Sequence, residues 1–142
     1  MKEIEELVIY CDGASRGNPG SAAGAFVVFN KKGKILGRGG KTIGVATNNM
    51  AEYSALVFAL EWLSDFSKKN SVARVFFNLD SQLVVNQLTG KFRIKSRQLL
   101  PLILKIRELE KDFQGELFYK SIPRAKNKIA DFLVNKILDQ KK

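Results

Sequence analysis

The chain has 142 residues, 45% of them hydrophobic, and its 24 Lys+Arg against 14 Asp+Glu give a formal net charge of +10. That length suits one self-sufficient domain, here expected over residues 1–142, and the charge suits an anionic partner, nucleic acid first, about as well as it suits a merely basic surface. The absence of histidine and the single cysteine, Cys11, exclude imidazole bases, Ser-His-Asp triads and zinc sites, so any chemistry must rest on carboxylates, lysines, hydroxyls or hard cations held by oxygen.

Met1 to Glu6 is too acidic for a signal peptide. The first element follows at Leu7-Val8-Ile9-Tyr10-Cys11-Asp12, a near-continuous apolar run that reads as a strand buried on both faces. Cys11 inside it reads as a buried free thiol in a reducing compartment. Gly13 to Gly20 has the composition of a loop. Ala22 to Asn30 and Ile35 to Thr42, joined by Lys31-Lys32-Gly33-Lys34, read as a β-hairpin. A largely buried helix is expected from about Asn49 to Lys69. Val75-Phe76-Phe77-Asn78-Leu79-Asp80 is the fourth strand, and Ser81 to Leu88 a short helix ended by Gly90. Lys91 to Arg97 is a basic connection, suited to a phosphate track or to a solvated loop. Leu99 to Phe113 reads as an amphipathic helix with Pro101 in its first turn, Glu116 to Ile122 as a fifth strand, and Ile129 to Leu138 as a terminal helix. The order β-β-β-α-β-α-α-β-α predicts an α/β domain with a mixed five-stranded sheet. No apolar stretch approaches the ~20 residues needed to cross a bilayer. A cytoplasmic protein with no membrane partner is expected.

Two of the strands end in an aspartate. If they are parallel neighbours, Asp12 and Asp80 share one carboxyl edge, where open α/β sheets place their ligand sites. Like charges fixed side by side repel unless a cation sits between them. Each acid also has a plain structural reading. Asp12-Gly13 is a turn pair, and Asp80-Ser81 suits a helix cap. Asn49-Met50-Ala51-Glu52 has capping-box spacing, and Asp131 suits a solvated first helical turn. Yet Glu52 shares a helical face with Leu56, Ala59 and Leu63, where a carboxylate is costly unless something charged receives it. Together the four acids favour an oxygen-only site for Mg²⁺ or Mn²⁺. Two such ions ~4 Å apart can clamp the attacking and leaving oxygens of a phosphodiester.

Four blocks carry a family pattern: Tyr10 to Gly20, Thr47-Asn48-Asn49-Met50-Ala51-Glu52-Tyr53, Leu79-Asp80-Ser81, and Arg124-Ala125-Lys126-Asn127-Lys128-Ile129-Ala130-Asp131. In this order and on these elements the chain resembles type-1 ribonuclease H. The resemblance implies a ribonuclease H-like fold with the first strand central, flanked by the second and fourth, and helices on both faces. It implies endonucleolytic, Mg²⁺-dependent cleavage of the RNA strand of RNA–DNA hybrids, with two ions per site and Mn²⁺ as a substitute. By position Asp12, Glu52, Asp80 and Asp131 match its metal-binding and catalytic acids. Gly13, Ala14 and Ser15, with Asn18, resemble the turn that touches ribose hydroxyls. Asn48 and Asn49 match minor-groove contacts. Thr47 and Ser96 match a pocket for a DNA-strand phosphate, and Arg124 is counted among the substrate contacts. A monomer is expected, and double-stranded RNA stays open as a second substrate.

Two departures stand out. Many members carry a histidine before the last aspartate and some an extra basic helix between Leu88 and Leu99; this chain has neither, like a histidine-lacking branch of the family. The alternative reading is a hybrid- or duplex-binding module with weak or lost catalysis. A third, a nucleotide-binding domain using Gly13 to Gly20 as a phosphate loop, is disfavoured because that loop leads into a hairpin and not a helix.

Overall fold

The computed structural model describes residues 1–91, 93 and 96–140; Phe92, Ile94 and Lys95 of the basic connection lie outside the described residues. Five strands, β1 (Lys2–Gly17), β2 (Gly20–Asn30), β3 (Ile35–Ala46), β4 (Asn70–Leu79) and β5 (Glu116–Ser121), form one sheet in the order β3-β2-β1-β4-β5. The α-helices are α1 (Asn48–Phe66), α2 (Gln82–Leu88), α3 (Leu100–Asp112) and α4 (Lys128–Gln140), with a single 3₁₀ turn at Arg124–Lys126. β1 is central as expected, antiparallel to β2 and parallel to β4.

The expected loop after Asp12 is mostly strand. β1 continues to Gly17, with Gly13 opposite Gly24, Ala14 opposite Ala23 and Ser15 opposite Ala22. Small residues read locally as a turn, but here an equally small partner strand supplies the hydrogen bonds, a tertiary effect. The reversal itself is confined to Asn18 and Pro19, entered through Gly17 at a φ of 101° that favours glycine.

Strand alternation sends the two sheet faces to different helices. Ile9, Cys11, Phe26, Val28, Val75 and Phe77 enter the main core with Leu56, Leu60 and Leu63 of α1. Burying each such side chain stabilises the fold by about 1.5–3 kcal/mol. On the other face Ala23 and Ala25 receive Val134 and Leu138 of α4. Helices therefore cover both faces. α1 begins at a cap, since Thr47 Oγ1 accepts the Met50 N–H at 3.2 Å. The cap is thus Thr47 and not Asn49, which removes the capping-box reading of Glu52. No helix among the described residues is long and apolar enough to cross a membrane.

Candidate active site

The parallel register sets Cys11 beside Leu79, so Asp12 and Asp80, one residue further along each chain, emerge together at the carboxyl edge of the sheet. Ser81, not Asp80, caps α2, its Oγ accepting the Val84 N–H at 3.2 Å, so the Asp80 carboxylate is free of that duty. Glu52 arrives from α1. The helix comes so close to β1 that a Cβ on Gly13 would lie 2.2 Å from the Ala51 carbonyl carbon. Glycine is therefore required there by space alone, and its N–H donates to Glu52 Oε1 at 2.9 Å. Asp12, Glu52 and Asp80 each offer an oxygen within 4.8 Å of the others.

This cluster is unbalanced without a cation. Asp12 and Glu52 are buried, and Asp12 Oδ1 and Glu52 Oε2 have no hydrogen-bond partner. Burial, partly offset by the adjacent Glu52 carboxyl and reinforced by the charges of Asp80 and Asp131, pushes the Asp12 carboxyl up to about 7. Burial and then Asp12 raise Glu52 well above the usual carboxylate range. Cys11 beside them is buried, and burial pushes its thiol up too, so it is a packing residue with no nucleophilic role. Orphaned carboxylate oxygens converging at one point are the donor set of a hard divalent cation, and the residues present fit one.

Asp131 lies in the first turn of α4, outside the tight group of three but near enough for its charge to raise Asp12. Asn135 Nδ2 donates to its Oδ1 at 3.1 Å. Sequence reasoning missed Asn127. It is 1% exposed, its Nδ2 donates to the Cys11 carbonyl at 2.9 Å and to Asp80 Oδ2 at 3.1 Å, and its own carbonyl accepts the Asp131 N–H. It ties together the elements that carry three of the acids. The available signal was an asparagine just before a helix, which reads only as a cap.

The candidate substrate residues divide into groups. Asn18, Thr47, Asn48, Asn49 and Ser96 line one polar cleft of about 460 Å³ with Met50, Gln98 and Leu99. Asn18 Oδ1 accepts the Asn48 N–H at 3.0 Å, and Asn48 Oδ1 accepts the Ser15 N–H at 3.2 Å. Ser15 Oγ donates to the Ala46 carbonyl at 2.7 Å and also contacts the Gly17 carbonyl. Gly13, Ala14 and Ser15 lie in β1, which bonds to Glu52 through the Gly13 N–H and to Asn48 through the Ser15 N–H. Arg124 stands apart, exposed in the 3₁₀ turn before α4.

Residues 10–137 match the family model described as reverse transcriptase-like. The chain is 45% identical over 130 residues to ribonuclease HI of Halobacterium salinarum, covering 92% of this chain and 63% of that protein. The crystal structure of that archaeon's ribonuclease H1 superposes with a TM-score of 0.86 at 43% identity, covering 94% of this chain and 98% of the other. The chain belongs to the ribonuclease HI family. A further family member, LC11 ribonuclease H1 in complex with an RNA/DNA hybrid, superposes with a TM-score of 0.90 at 39% identity over 94% of this chain and 97% of the other. The chain spans less than two thirds of the length of the Halobacterium protein, 63%, and 36% of that of mycobacterial relatives. Within the ribonuclease HI family this chain lacks any histidine, and among the described residues no helix intervenes between α2 and α3.

Proposed function

We propose that the chain is a divalent-metal-dependent endoribonuclease that hydrolyses the RNA strand of RNA–DNA hybrids, leaving 5′-phosphate and 3′-hydroxyl ends. The observation that carries the reading is the convergence of Asp12, Glu52 and Asp80 within 4.8 Å, with two buried oxygens unpaired. Asp12, Glu52, Asp80 and Asp131 would hold two Mg²⁺ ions, with Mn²⁺ as substitute. Such ions, when bound, polarise the scissile phosphodiester and offset the charge that builds on it.

The protein's own groups orient and bind. The Gly13 N–H fixes one Glu52 oxygen and leaves the other facing the cluster. Asn127 holds Asp80 beside Cys11, within β1. Ser15, Asn18 and Asn48 are cross-linked into a rigid turn beside the acids, suited to reading ribose hydroxyls and minor-groove edges with Gly13, Ala14 and Asn49. Thr47 and Ser96 face the same cleft as the N-terminus of α1, suited to a DNA-strand phosphate. Arg124, whose carbonyl accepts the Asn127 N–H at 3.0 Å, supplies a further phosphate contact. The site draws all its acids from one chain, and we place the protein as a monomer in a reducing compartment such as the cytoplasm. A binding-only module has no use for three converging carboxylates, which repel phosphate.

Digestion of strand-labelled hybrid, RNA duplex and DNA duplex with Mg²⁺ or Mn²⁺ tests this reading. Cutting confined to the RNA strand is expected, the RNA duplex arm deciding whether it is also a substrate. Equal cutting of the DNA strand refutes the specificity, and inertness with every divalent ion refutes the activity.

A further inference from the structure

The sheet face that carries α4 is only partly covered. α4 lies over β1, β2 and β3, and leaves two cavities along its flank, the larger at its N-terminal end. The larger, about 490 Å³, lies between β1, the β2–β3 turn and the 3₁₀ turn, with Val8, Tyr10, Phe29 and Ala125 in its wall. The smaller, about 300 Å³, lies between α4 and the start of β3, against Val27, Ile35, Phe132 and Leu133. Ile129 lines both, so the two adjoin as one groove. Its rim leaves Ile35 48%, Ile129 51% and Phe132 68% exposed. Three large apolar side chains held in water around a preformed groove mark a contact surface.

The charge of the groove is one-sided. Lys31, Lys126 and Lys128 line the larger cavity and Arg38 and Lys136 the smaller, and no Asp or Glu lines either. Among the described residues only Lys31 of these five has an ion pair, with Glu5. A second copy of this chain, itself at +10, would bring like charge to the groove. Nucleotide bases seek open ring faces, but of the aromatic rings in the lining Tyr10 and Phe29 close on each other edge to face, 5.6 Å apart, which leaves Phe132 as a lone platform. The geometry points to an acidic peptide segment of a partner protein, with two bulky apolar side chains that enter the two cavities while its carboxylates meet the five cations. The groove lies on the same face as Asp12 but reaches away from it along the sheet, so the partner docks without occupying the acid cluster.

A fluorescein-labelled nonapeptide of aspartates carrying one leucine and one phenylalanine tests this, by anisotropy in ~0.15 M salt, where long-range charge effects are screened. Saturable binding is expected, weakened about tenfold or more by Ile35→Asp and by the pair Arg38→Glu and Lys136→Glu. The same peptide with serines at both apolar positions should bind at least about tenfold more weakly. Circular dichroism and hybrid cleavage should be unchanged in the variants, which shows that the fold survives. Failure to saturate by about 1 mM, or equal binding by the serine peptide or the variants, overturns the inference. So does a nine-nucleotide oligouridylate that binds and is lost in the same variants, which makes the groove a nucleic-acid site, or a wild-type dimer in gel filtration that those variants dissolve.

Discussion

In the absence of metal, Asp12→Asn should stabilise the protein, and by an amount that depends on pH. The Asp12 side chain is 2% exposed, and one of its oxygens has no partner. Burial, with the charges of Asp80 and Asp131, raises its carboxyl from 3.8 to about 7. Ionising it in the metal-free fold then costs up to about 4 kcal/mol relative to the unfolded chain. Its folded value lies above the unfolded one, so the native state keeps a proton that the unfolded chain has released. Stability is therefore fully present below pH 3.8 and is lost as pH rises through about 7. Glu52, displaced in the same direction, adds to the loss. Asparagine removes the charge but still buries a polar group, so the net gain above pH 7 is about 1–2 kcal/mol. For a chain of this length that is about 4–8 °C in Tm. Thermal melts by circular dichroism in EDTA at pH 5 and pH 8 measure it. The variant should stand little above wild type at pH 5 and well above it at pH 8. With saturating Mg²⁺ at pH 8 the order should invert, because only the wild-type cluster gains the full stabilisation of bound metal. A wild-type Tm that stays flat between pH 5 and pH 8 without metal would refute the reasoning, as would an Asp12→Asn protein no more stable than wild type at pH 8.

Three further outcomes follow from the same geometry. Asp80→Asn should abolish turnover while keeping hybrid affinity in a filter-binding assay, since basic residues on phosphates supply most of that affinity; without metal it should also melt higher by about 1 kcal/mol. Asn127→Ala should lower stability by about 2–3 kcal/mol in urea melts, because it strips a buried carbonyl and a carboxylate of their donor, and it should reduce the cleavage rate at saturating metal. With no histidine in the chain, single-turnover cleavage at saturating metal should rise steadily from neutral to mildly alkaline pH, with no separate inflection near the imidazole value of ~6.5.

Element order was legible because the signals were local and strong, whereas the central place of the first strand followed from the family resemblance. The two apolar runs around Ile9 and Phe77 permit little but buried strands, and their terminal aspartates do share one edge. Glu52 was legible from its place on a core-facing helical stripe, which the buried Leu56, Ala59 and Leu63 bear out. What escaped depended on partners distant in the chain. Gly13 to Gly17 form strand only because Gly20 to Gly24 lie opposite. The close approach of Ala51 to Gly13 has no sequence signature, since a glycine that fills a turn and one that admits a helix look alike. Asn127 was hidden for the same reason: its bonds reach Cys11 and Asp80, 116 and 47 residues away.

The most direct test of the account is the single-turnover rate of hybrid cleavage by Glu52→Gln at saturating Mg²⁺, measured beside hybrid affinity. Gln keeps the acceptor for the Gly13 N–H and nearly the same volume, and removes only the charge turned toward Asp12 and Asp80. The rate should fall by at least about a hundredfold, equivalent to about 3 kcal/mol of barrier, with affinity unchanged within about threefold. A variant that cleaves within about tenfold of wild type would contradict the claim that this carboxylate cluster is where the chemistry occurs.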